Sequence, residues 1–315
     1  MTRTTSSACA SSAADIPAAR ASSTARSPRV RRAFVAVAAA ALLALSCVLA
    51  GCSSGSTGAD SSTSPAADGA AASQGSTLRV AMELAYPPFE TKDDAGNPEG
   101  LAVDFIRDFG AAYGYDVQIE NTAWDGLIPA LQTGKADLVI SSMTITDERK
   151  QSVDFSDAYA MAQLAILANA NSGVASIDDL NQPGKKVAVK TGSTGDVYAT
   201  KNLTNAEIVR LADESACVTE VVQGKADGFL YDQLTIYRNH QANPDTTEAV
   251  FIPFQDAEEW GIAVKKGNTT LLDQLNAFIA QSKADGEFDR LTEKYLAEEK
   301  KAFDEYGFKW FFDFE

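Results

Sequence analysis

Residues 134–156 read GKADLVISSMTITDERKQSVDFS, and this stretch decides the fold. The short apolar run over 136–140 has the character of a strand buried inside a sheet. Small hydroxyl residues follow at once: Ser141, Ser142 and Thr144. Residues 147–151 leave room for a single helical turn, which carries Arg149. The stretch therefore places hydroxyls and a guanidinium just beyond the carboxyl end of a buried strand. In open α/β sheets that is where ligands bind.

Working outward, the same alternation continues on both sides. Before it, the pattern predicts strands over 77–82 and 116–119, with helices over 100–113 and 124–133. After it come strands over 163–168, 186–189, 206–211 and 226–230, separated by helices over 194–201, 215–224 and 232–241. Short strands over 250–252 and 261–265 lead to helices over 269–284 and 288–300 and an aromatic tail, Trp310, Phe311, Phe312 and Phe314. Strands alternating with helices predict an α/β fold with mostly parallel sheets flanked by helices. Two such series of about 90 residues, with helices returning at the end, predict two lobes facing each other across a cleft. One lobe takes 77–160 and 258–315 and the other 161–257, with a hinge where the chain crosses near 159–164 and 256–261.

The 315 residues carry 27 Lys and Arg against 43 Asp and Glu, a formal charge of −16, with one His and four Cys. So acidic a chain is ill suited to nucleic acid, whose phosphates demand a basic surface. A single His excludes a multi-His metal site, and Cys9, Cys47, Cys52 and Cys217 fit no zinc spacing. Neither a metal nor another cofactor is expected. The charge is uneven. Residues 1–51 hold six Arg and one acid, leaving 21 bases and 42 acids in the remainder. Basic residues followed by the 18 apolar-rich residues of 33–50 form a signal-peptide pattern. Leu49-Ala50-Gly51-Cys52 resembles a bacterial lipobox, which implies a lipid (palmitate) on Cys52 and anchorage to the outside of the cell membrane. An uncleaved N-terminal membrane helix is the alternative. Residues 53–76, nearly all Ser, Gly, Ala, Asp and Thr, bury too little to fold and read, with Cys52, as a flexible tether.

The remaining strand ends supply the other candidates. Glu83 and Tyr86 follow the first strand, Trp124 opens the helix after the second, and Ser193 and Thr194 open the helix after the strand at 186–189. Asp232 opens the helix after 226–230. Each has a plain alternative. Glu83 could be a solvated loop acid, Tyr86 and Trp124 packing residues, and Arg149 half of a surface ion pair. Ser193, Thr194 and Asp232 could be ordinary helix caps. Together they offer an Arg, an anion-favouring helix start, hydroxyls, acids and aromatics, a set that one amino-acid zwitterion would satisfy.

These residues sit in motifs that resemble the family 3 solute-binding proteins of ABC importers for polar amino acids. The matching segments are Tyr86-Pro87-Pro88-Phe89-Glu90, Gly100-Leu101-Ala102-Val103-Asp104, Trp124 through Leu131, and the opening stretch through Ser156. Leu101-Ala102 departs from the Phe-Asp that many members carry. The resemblance implies a two-lobed, type II periplasmic-binding-protein fold, with an ABC permease as partner. It implies that Arg149 and Thr194 hold the ligand α-carboxylate and that Ser142, Thr144 and Asp232 hold the α-ammonium. Tyr86 and Trp124 would wall the side chain and Glu83 would meet its end. Glu83 and Trp124 point toward arginine or lysine as ligand. The chain is expected to act as a monomer and not as an enzyme. The competing readings are a dehydratase-type enzyme on the same fold and an amino-acid sensor.

Overall fold

The computed structural model describes residues 75–306 and 309–314. The signal segment 1–51, Cys52 and all but the end of the tether lie outside the described residues. The described part belongs to one compact unit. Gly75 donates its N–H to Gly114 O, and the first strand begins at Ser76, the last position assigned to the tether.

Two five-stranded sheets organise the chain. The first runs, in spatial order, Tyr115–Asn121, Ser76–Met82, Leu138–Val139, Ala263–Lys265 and Val153–Phe155. The second runs Glu207–Leu211, Lys186–Lys190, Gly228–Asp232, Leu164–Asn169 and Thr247–Val250. In each sheet three consecutive strands are parallel, as βαβ connections require. The other pairings are antiparallel and involve the strands next to the crossings, Ala263–Lys265 and Leu164–Asn169. Between the sheets the chain passes twice, as Ala160–Ala162 and Glu258–Trp260, and these two segments pair antiparallel.

The helices cover the sheets by burying one stripe each. Leu101–Tyr113 buries Leu101, Phe105, Ile106 and Phe109, and Phe105 meets Phe278 and Phe288 of the returning C-terminal helices at 5.1 Å between ring centroids. The predicted helix 288–300 is two, Glu287–Tyr295 and Ala297–Tyr306, broken at the fully buried Leu296. The aromatic tail packs back onto the crossing. Phe311 is fully buried against Phe89 and Trp260, and its carbonyl accepts from Met161 N at 2.7 Å. In the second half, Cys217 is buried in the helix Glu214–Val222, and burial pushes its thiol up to about 12, which suits a packing residue and not a nucleophile. The single histidine, His240, is half-buried, with Nδ1 3.2 Å from Thr247 Oγ1.

Candidate functional site

The carboxyl ends of both sheets open on one cavity of about 490 Å³, its mouth included. All nine side chains singled out from the sequence, Glu83, Tyr86, Trp124, Ser142, Thr144, Arg149, Ser193, Thr194 and Asp232, line it.

Local structure explains how each is held. The loop after the first strand is closed by paired backbone bonds between Tyr86 and Glu90. Its Tyr86 ring stacks on Phe89, 5.5 Å between centroids. From there Tyr86 OH reaches the other half and donates to Asp232 Oδ1 at 2.7 Å. Ser142 has φ 46, a left-handed backbone rare outside glycine. That turn aims its hydroxyl at Glu90 Oε2, 3.1 Å away. Thr146 caps the single turn Asp147–Lys150 and so fixes Arg149. The Arg149 guanidinium donates to Thr144 O at 2.7 Å within its own half and to Gly192 O at 3.2 Å in the other. Its centre lies 5.3 Å from the Trp124 ring centroid.

On the opposite wall, Ser193 caps the helix Thr194–Asn202 by accepting from Asp196 N. That helix start lies close to the sheet because residue 195 is glycine: a Cβ there would stand 2.5 Å from Leu230 O. Gly192, with φ 74, makes the turn beside the Trp124 indole. Asp232 is the cap of the helix Gln233–Ala242, accepting from Leu234 N and Thr235 N on Oδ1 and from Thr235 Oγ1 on Oδ2. The cap and the cavity wall are thus the same side chain.

Several further residues complete the site. Glu258, on the crossing strand, accepts on one oxygen from Thr144 Oγ1 at 2.8 Å and from Thr194 Oγ1 at 2.7 Å. Gln255 Nε2 holds its other oxygen at 2.7 Å. Trp260, two residues on, packs edgewise against Tyr86. The Glu83 carboxylate, expected to face the ligand freely, is ion-paired with Lys190. Lys190 Nζ also lies 3.3 Å from Glu214 Oε1, which takes a second bond from Tyr231 OH at 3.0 Å. Glu214 was reachable by the rule that found the others, since it follows the strand Glu207–Leu211. Glu258 and Trp260 fall in the expected hinge, where no strand end drew attention to them.

Burial dominates the electrostatics. It pushes the Glu90 carboxyl well above the usual range, with the Ser142 hydroxyl bond opposing. It also raises Asp232 against the four donors that pull it back. Glu214 rises to about 7, burial outweighing the pull of Lys190. Burial depresses the Arg149 guanidinium, with Glu258 opposing. For Lys190 burial acts downward, but Glu214 and Glu83 together hold the ammonium above its ordinary value. The site therefore has a guanidinium in its wall and an ion-paired ammonium behind it, both beside the Trp124 ring, with several acids around them.

Comparison with known proteins identifies the family. Residues 78–298 match the model of the bacterial extracellular solute-binding proteins, family 3. The chain is 37% identical over 232 residues to a probable histidine-binding protein of Neisseria gonorrhoeae, covering 73% of this chain and 86% of that one. It is 34% identical over 251 residues to an L-arginine-binding protein of Pseudomonas aeruginosa, covering 73% and 90%. Among solved structures, an ancestral amino acid-binding protein, a precursor of cyclohexadienyl dehydratase, superposes with a TM-score of 0.64 at 39% identity, covering 70% of this chain and 94% of that one. With its two-sheet α/β architecture, its cavity and a family match over most of its length, this chain belongs to the bacterial extracellular solute-binding proteins of family 3.

Proposed function

We propose that the chain is the substrate-binding component of an ABC importer and captures a polar amino acid between two lobes, 77–160 with 258–315 and 161–257. The observation that carries this is Arg149, a half-buried cavity-wall guanidinium that already bonds to both halves. Of its five N–H groups two are spent on carbonyls, leaving donors for a ligand α-carboxylate. Thr194 and the start of its helix add donors from the opposite wall. Ser142, Thr144 and Asp232 surround the place for the α-ammonium, and Tyr86 and Trp124 flank the side chain. Contacts from both halves differ between open and closed forms, and only differential contacts drive closure. The paired crossing strands Ala160–Ala162 and Glu258–Trp260 serve as the hinge. The protein acts as a monomer without catalysis, held outside the cell by a lipid on Cys52, and hands its ligand to a membrane permease.

A thermal-shift panel of amino acids tests the reading. Ligand at about 100 times Kd stabilises by roughly 2.7 kcal/mol, which in a body of this size raises Tm by about 5–10 °C. A panel with no shift for any amino acid would sink it. Mass spectrometry of the membrane fraction tests the anchor: Cys52→Ala should abolish a lipidated N-terminal peptide and release the protein.

A further inference from the structure

Lys190 is 1% exposed, and no other lysine or arginine among the described residues is buried to that degree. It ends the strand Lys186–Lys190, whose Val187 and Val189 point into the core of the second half. Its ammonium leaves that core and lies between two carboxylates from distant places, Glu83 of the first half and Glu214 of the second. The Trp124 ring centroid is 5.1 Å from Nζ. Two carboxylates and an indole face form a complete cation subsite. Both acids and the indole line the cavity, whereas Lys190 stands behind them. The chain thus supplies its own cation to the subsite that the sequence suggested for a ligand guanidinium.

We propose that Lys190 is a resident cation that sets the charge of this end of the cavity, so that it accepts an amino acid with an uncharged polar side chain in preference to arginine or lysine. The proposal rests on the cavity being an amino-acid site. A ligand guanidinium would have to share the two carboxylates with an ammonium already bonded to both, or drive that ammonium off Glu83 toward the adjoining cavity lined by Asp213, Glu214 and Asn239. Sharing leaves two buried cations on one pair of acids, and displacement breaks a buried ion pair. A carboxamide or neutral imidazole meets no such conflict. It donates to carboxylate lone pairs that Lys190 leaves open and lies against the Trp124 face.

Isothermal titration at pH 8 with glutamine, histidine, arginine and lysine, on the wild-type chain, K190M and K190R, tests the proposal. Wild type should bind glutamine or histidine tighter than either cationic amino acid, by about tenfold or more. K190M should move the arginine-to-glutamine affinity ratio toward arginine by at least about tenfold, because two carboxylates then lose their partner. K190R, which keeps the charge, should keep the wild-type order. Arginine or lysine as the tightest wild-type ligand overturns the proposal, and this arm decides alone if K190M does not fold. A folded K190M with an unchanged ratio also overturns it. Binding with the wrong order leaves the amino-acid reading standing, whereas binding of no amino acid removes that reading itself.

Discussion

Replacing Arg149 by lysine keeps the charge and removes the fork, which makes it the most informative single change in the cavity. The guanidinium presents five N–H groups in a plane. Two are committed to Thr144 O and Gly192 O, so a carboxylate in the cavity can still receive two parallel bonds. A lysine ammonium has three donors on one atom. If it holds the same two carbonyls, one donor remains, and the second bond to the ligand is lost. A hydrogen bond to a charged group contributes about 1.5–3 kcal/mol, so R149K should weaken binding by roughly 10- to 150-fold. Arg149→Met loses both bonds and the charge, and should weaken it by more than about 1,000-fold. The assay is isothermal titration with the amino acid that gives the largest thermal shift, after circular dichroism has shown that each variant is folded. A competing effect has the opposite sign: burial depresses the Arg149 guanidinium, so removing it relieves a desolvation cost in the empty protein. That relief appears in the Tm of the unliganded variant and is separated from affinity by measuring both. An R149K dissociation constant within threefold of wild type would refute the placement of the ligand carboxylate at Arg149.

Three further outcomes follow from the packing and the titrating groups. Glu214 is raised to about 7 from an ordinary 4.5, so the folded chain keeps a proton that the unfolded chain has released; its contribution is full below pH 4.5 and disappears as pH rises through 7, on the order of 3 kcal/mol. Urea unfolding of wild type and E214Q at pH 5 and pH 8 should therefore show a smaller pH-dependent loss in the variant, and equal losses would sink the assignment. Phe311→Ala empties a fully buried ring site against Phe89 and Trp260 and should cost about 3–5 kcal/mol in the same assay; a cost below about 1 kcal/mol would show that the tail packs weakly. Gly195→Ala forces a Cβ to within 2.5 Å of Leu230 O and should cost about 1–3 kcal/mol, with a neutral result in thermal unfolding counting against that close approach.

Much of the architecture was legible because burial writes itself into composition. Residues 138–140 and 187–189 are apolar throughout and fully buried because both faces of the sheet are covered, and the carboxyl ends of such runs led to nine residues of one cavity. What was not legible came from long-range juxtaposition. A lysine closing the strand Lys186–Lys190 looks like a solvated flank, yet it is buried by Glu83, 107 residues away, and Glu214, 24 residues away. Glu258 sits in a short crossing strand, and nothing in its local sequence says that hydroxyls from two separate loops converge on it. Asp232 posed a choice between helix cap and cavity wall that geometry dissolves, since one carboxylate does both.

The partners found in the cavity change how any affinity there should be understood. Glu83 has Lys190, Glu90 has Ser142, and Glu258 has Thr144 and Thr194. Arg149 has two carbonyls, and Asp232 Oδ1 carries three donors while Oδ2 carries one. Under the proposed function a ligand carboxylate arriving at Arg149 competes with Glu258 for the Thr194 and Thr144 hydroxyls. Its ammonium finds room on Asp232 chiefly at Oδ2. Binding is then an exchange of hydrogen bonds, and the measured free energy is the difference between two satisfied states. Removing one member therefore reports its ligand bond together with the relaxation of its former protein partner. The quantity that isolates the ligand contact is the coupling in a double-mutant cycle, here Thr194→Val with Glu258→Gln. A ligand that takes the Thr194 hydroxyl from Glu258 makes the two substitutions non-additive for affinity, whereas a ligand that bypasses the pair leaves them additive.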